Sequence, residues 1–141
     1  MQSEMLERCN TVEECYEFML AYAAKGLPAN EDSRQDEQVR EFLQRAVNAI
    51  VGLVESYRLA VEGGDLEPAE KYHAFITVLD RDARDSLAAI ELVLVQPFVS
   101  SQLVDNLNAS IHLRALLTDL FLMEEVLTQR LASGPPNRMP T

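Results

Sequence analysis

The sequence predicts an all-α domain, an up-down-up-down bundle of four helices in which helix one is shorter than the others. Apolar residues recur at alternating steps of three and four along most of the chain, and helix start and stop signals are frequent. The connections between these stripes are short, which makes consecutive helices antiparallel neighbours. Residues 1–132 form the predicted bundle, and 133–141, which carry Gly134-Pro-Pro136, form a flexible tail with nothing to pack.

Helix one is expected to start at Thr11-Val-Glu-Glu14. This is a capping box in which the Thr hydroxyl accepts from the third backbone N–H and Glu14 reaches back. Val12, Cys15, Tyr16, Met19, Tyr22 and Ala23 form its stripe, and Lys25-Gly26-Leu-Pro28 ends it. A short helix precedes Asn10. Helix two opens at Ser33 with Asp36 three residues later, and buries Leu43, Val47, Ile50, Val54, Tyr57 and Val61 before Gly63-Gly64. Helix three has Pro68 in its first turn and runs to about Val95 on Tyr72, Ile76, Leu79, Ala83, Leu87, Ile90 and Leu94; Pro97 closes it. Ser100 caps helix four, whose Leu103, Leu107, Ile111, Leu113, Leu116, Leu117, Leu120, Phe121, Val126, Leu127 and Leu131 cover most of its circumference. A helix so apolar is central in the bundle or shared with a second copy of the chain, so a homodimer is expected.

Twelve Lys+Arg against 23 Asp+Glu leave a net charge of −11, which repels phosphate backbones and anionic lipid. Neither nucleic acid nor membrane is an expected partner; a protein with a basic surface is. Cys9 and Cys15, the two cysteines, have neither redox nor zinc spacing and stand too far apart along a helix to bridge, so reduced thiols are expected. With no basic start leading into an apolar segment and no run of about 18 apolar residues, the expected location is cytoplasmic.

Polar residues in helix four fall into two groups on a helical wheel. Asp105, Asn108, His112, Asp119, Thr128 and Arg130 share one narrow sector, which reads as a solvated stripe with His112 on its rim. Arg114 falls instead among Leu103, Leu107, Leu117 and Phe121, where a guanidinium requires a partner. Folding helices three and four about residue 98 sets Asp82 opposite Arg114. An Arg114–Asp82 pair with Ser86 or Ser110 nearby is therefore expected to fix register; the alternative is that Arg114 anchors an anion inside the bundle.

Glu70-Lys-Tyr-His73 places a carboxylate and an imidazole on adjacent rows of one helix, as di-iron bundles do twice. The second copy is missing, because Ala109 stands three residues before His112. No cofactor is expected, and Glu70, His73, His112 and Arg114 are the remaining ligand candidates. No nucleophile has a placed base, and Gly63-Gly64 is turn chemistry rather than a phosphate loop. The function expected is therefore non-enzymatic: an adaptor or chaperone-like acidic bundle that binds a protein in an apolar groove between helices one and four, with Met5, Leu6 and Met19 as contacts. A small-anion or metal-binding bundle around Arg114, Asp82, His73 and Glu70 is the alternative.

Overall fold

The computed structural model describes residues 2–26 and 33–133, and its regular elements there are all helical: α1 (Gln2–Ala24), α2 (Ser33–Val51), α3 (Leu53–Gly63), α4 (Ala69–Leu94), α5 (Ser101–Ala109) and α6 (His112–Ser133). Apart from Ser133, the predicted tail lies outside the described residues. The six helices make four rods, because α2 continues into α3 and α5 into α6. α1 packs against α2 and α3 on one side and against α5 and α6 on the other, and α4 does the same from the opposite corner. Each rod thus lies beside its sequence neighbours and the last closes on the first, the four-helix bundle that short connections favour. No helix among the described residues is long and apolar enough to cross a membrane.

The capping box does not start a helix. α1 runs unbroken through it, with Thr11 in mid-helix donating its hydroxyl hydrogen to the carbonyl of Glu7 at 2.9 Å. Met5, Cys9, Val12, Cys15, Met19 and Tyr22 are all buried and continue one stripe. A cap is worth about 1 kcal/mol, less than fully burying one large apolar side chain at about 1.5–3 kcal/mol, so burial of Met5 and Cys9 decides the boundary. α1 nevertheless remains the shortest rod, at 23 residues.

Gly52 separates α2 from α3. A Cβ there would come within 2.5 Å of Arg8 Cζ, so glycine leaves the space in which the Arg8 guanidinium lies. From that position Arg8 Nη1 donates to the carbonyls of Asn48 and Ala49 at 3.0 and 3.1 Å, satisfying acceptors in the last turn of α2. Arg40 performs the same service across the bundle: Nη1 and Nη2 donate to the carbonyls of Leu94 and Gln96 at 2.7 and 2.5 Å, while Nε holds Asp36 at 2.6 Å. The other Asp36 oxygen accepts from Val99 N at 2.8 Å. The start of α2 is thereby tied to the turn that leads from α4 into α5.

The second break is at Ile111, which has φ +66°. The Ser100 cap before it forms as expected, accepting from Leu103 N at 3.1 Å. α5 then stops after nine residues, its end satisfied by Ser110 N to Asn106 O at 3.0 Å and by the Ser110 hydroxyl to Leu107 O at 2.6 Å. α5 buries Ser101, Val104, Leu107 and Asn108, whereas α6 buries Leu113, Leu116, Leu117, Leu120, Met123 and Leu127. An unbroken helix would have buried 111, 114 or 115, and 118; the break turns the buried phase by about half a turn. This rotation moves the polar residues of the segment to new surroundings.

Candidate functional site

Arg114 is exposed on α6, and no ion pair to Asp82 forms. The wheel that placed it in the core assumed one continuous helix, and the turn at Ile111 carries it outward. Two residues assigned to the solvated stripe are also corrected, Asn108 by the phase of α5 before the break and Asp119 by the phase α6 takes after it. Asn108 is buried and donates Nδ2 to Met19 O at 3.3 Å, while its Oδ1 is buried with no donor from a described residue. Asp119 turns toward α4 and becomes the residue that meets Asp82.

That meeting brings two carboxyl groups together at the seam of α4 and α6. Asp119 Oδ2 is buried and receives no hydrogen bond from an N–H or O–H donor among the described residues. Its carboxyl is pushed up to about 7, first by burial, then by a hydrogen bond shared with Asp82, then by the negative charge of Asp82. Ser86, one turn beyond Asp82 on α4, is also buried, its hydroxyl without a partner among the described residues. Ser110 stays with its own helix end.

Next to the acid pair is an apolar groove of about 190 Å³ between the same two helices, lined by Lys71, Tyr72 and Phe75 of α4 and Leu122, Met123 and Val126 of α6. On α6 the groove residues Leu122 and Met123 stand three and four residues after Asp119, one turn along, and on α4 Phe75 stands seven residues, two turns, before Asp82. Val78, Phe121 and Leu122 are 43%, 50% and 53% exposed. Phe121, expected in the core, was rotated out with Arg114. A second depression, of about 470 Å³, lies at the turn from α4 into α5 beside Leu92, Pro97, Phe98 and Leu103.

The remaining candidates do not converge. Met5 and Met19 are core residues, and of the three expected contacts only Leu6 reaches the surface. The seam between helices one and four, expected to be a groove, is stitched shut where α1 meets α5: Tyr22 donates its hydroxyl hydrogen to Val99 O at 2.7 Å, and Ser101 donates to Tyr22 O at 2.6 Å. Glu70, His73 and His112 are exposed, and among the described residues no three His, Cys, Asp or Glu side chains group as metal ligands do. Cys9 and Cys15 are buried and unbridged. Burial pushes the Cys15 thiol up to about 11 and raises that of Cys9, whose Sγ lies 3.0 Å from the Tyr57 hydroxyl.

The break at Ile111 carried no sequence signal, since a β-branched residue is among the least suited to positive φ. The polar cluster Asn106 to Ser110 was the available hint, and it reads equally well as helix surface. No family model, curated protein or solved structure matches the chain.

Proposed function

We propose that the protein is a non-enzymatic interaction module whose α4–α6 groove receives an amphipathic helix of another protein, with a basic side chain of that helix meeting Asp82 and Asp119. The carrying observation is the juxtaposition in one seam of a half-exposed apolar groove and a buried carboxylate oxygen that lacks a donor. Two adjacent rods form the trough into which a third helix fits, with apolar anchors at helical spacing. A guanidinium or ammonium would supply the donor that Asp119 lacks and relieve its repulsion with Asp82. The net charge of −11 favours a basic partner and opposes a second copy of the chain, whose acid pair would add like charge to the same seam. Buried thiols with raised pKa fit work in a reducing compartment such as the cytoplasm.

The test is a photo-crosslinking residue placed at Leu122 in the cell of origin, with Leu59 on α3 and Leu92 on α4 as comparison sites. A heterologous segment with apolar residues at helical spacing and Arg or Lys within a turn of them is the expected adduct at Leu122. With the crosslinker at Leu122, Val126→Asp on the same groove wall should abolish it. Adducts that are equal at Leu59, or stronger at Leu92, remove the groove from consideration. An adduct between two copies of the chain replaces this proposal with a homodimer.

A further inference from the structure

We propose that the groove between α1 and α2, across the bundle from the α4–α6 seam, binds a small zwitterion of the amino-acid class, its carboxylate on Arg8 and Arg45 and its ammonium on Glu7. This site goes beyond the protein-binding reading and stands whether or not the other groove receives a helix.

The groove has a volume of about 350 Å³ and is lined chiefly by Glu4, Glu7, Arg8 and Thr11 of α1 and by Arg45 and Asn48 of α2. Glu4, Arg8 and Thr11 stand three or four residues apart, as do Arg45 and Asn48, so each helix turns one polar edge to it. Two cross-links fix the walls. At one end Arg45 Nη2 donates to Glu14 Oε1 at 2.8 Å, and at the other Arg8 Nη1 donates to the carbonyls of Asn48 and Ala49 at 3.0 and 3.1 Å. Thr11 lies between Arg8 and Glu14 along α1, so the two guanidinium groups flank the same stretch of groove.

The carrying observation is a set of donors without acceptors. With Nη1 engaged, the other edge of the Arg8 guanidinium is the fork of Nε and Nη2, which matches the two oxygens of a carboxylate. Nε is buried without an acceptor among the described residues, and Nη2 reaches only Glu4 Oε1 at 3.7 Å, too long for a hydrogen bond. A buried unpaired donor is costly, so this fork is where an acceptor belongs. Arg45 lies over Phe42, its Cζ 5.0 Å from the ring centroid, and its Nε and Nη1 make no hydrogen bond to a described residue. Asn48 Oδ1 accepts from Gln44 at 3.2 Å, which leaves the Nδ2 hydrogens to donate. Against these donors stands one unengaged acid. Glu4 is held by the Ser56 hydroxyl at 3.1 Å, whereas the Glu7 carboxylate has no hydrogen bond or ion pair with a described residue. A plain anion would meet Glu4 and Glu7 as like charge; a zwitterion satisfies the donors and the acid together.

The test is nitrogen-15 NMR of the arginine Nε–H groups in the full chain, titrated with the protein amino acids, β-alanine and γ-aminobutyrate. Acetate, phosphate and ethylammonium serve as probes of one sign. At least one zwitterion should move the Nε–H signals of Arg8 and Arg45, and at about ten times its Kd it should raise the melting temperature by about 4 °C. Arg45→Ala and Glu7→Gln should each weaken it by about tenfold or more. Neither should change the melting temperature of the free protein much, because the Arg45–Glu14 pair is exposed and Glu7 is unpaired. An Arg8 Nε–H signal that no zwitterion moves at about 10 mM overturns the proposal. Acetate or phosphate acting as strongly as the best zwitterion also overturns it, in favour of a plain anion site. So does binding that both variants leave intact, which would place the ligand elsewhere.

Discussion

Gly52 and Arg8 show how one side chain can depend on the absence of another. Glycine inside a helical run costs about 1 kcal/mol relative to alanine, yet here it admits a guanidinium that bonds two carbonyls at the end of α2. Gly52→Ala should therefore give no net stabilisation in the wild type, because the new methyl displaces Arg8. In an Arg8→Ala background the same change should stabilise by about 0.5–1 kcal/mol, and a double-mutant cycle in urea would show the coupling. Additive effects would mean that Arg8 and Gly52 do not share the space. The thiols supply a second check at this scale. With burial as the largest cause raising both, Cys9 and Cys15 should resist alkylation in the native protein at pH 7.5 and react only on unfolding. Rapid native labelling would contradict their place in the core.

At the scale of the element, two devices set how the rods begin and end. The Arg40 bracket satisfies Leu94 O and Gln96 O while its partner Asp36 holds Val99 N, so one charged pair organises the turn that points α5 at α1. Arg40→Ala should cost about 1.5–3 kcal/mol in chemical denaturation, the range for hydrogen bonds to charged groups that are mostly buried. A loss below about 0.5 kcal/mol would reduce it to an ornament of the surface. Ile111 is the opposite case, a residue held in a conformation that suits it badly. Its side chain is 58% exposed, so Ile111→Gly gives up little burial and relieves the positive φ. This glycine should stabilise by about 1 kcal/mol, whereas glycine in an ordinary helix interior destabilises by a similar amount. Destabilisation would indicate that α5 and α6 are one helix, and would return Arg114 toward the core and Asp119 to solvent.

For the molecule as a whole, the core and the groove should separate cleanly under substitution. Leu116 lies in the interior with Leu113, Leu120 and Tyr57, and Leu116→Ala should cost about 2–5 kcal/mol through lost transfer energy and the cavity left behind. Leu122→Ala, on the groove, should cost well under about 1 kcal/mol. Similar losses at the two positions would mean that the groove is part of the interior. The contrast matters for function, because a surface that contributes little to stability while exposing Phe121, Leu122 and Val78 is available to a partner.

What the sequence determined by itself was the class and the circuit: four amphipathic rods, their antiparallel order, the Ser100 cap and the stops at Gly26 and Gly63. These are local matters, set by periodicity and by glycine, proline and capping chemistry within a few residues. Tertiary structure decided the rest. Whether Thr11 caps a helix or rides inside one depended on the burial of Met5 and Cys9 against distant rods. Whether Arg114 or Asp119 faces Asp82 depended on a single left-handed residue that turns α6 by about half a turn. A wheel extrapolates phase along an unbroken axis, and one change of backbone conformation resets that phase for every residue beyond it. The fold survived this reset because α6 is apolar around most of its circumference, whereas the site did not, because each of its polar groups occupies a single angle.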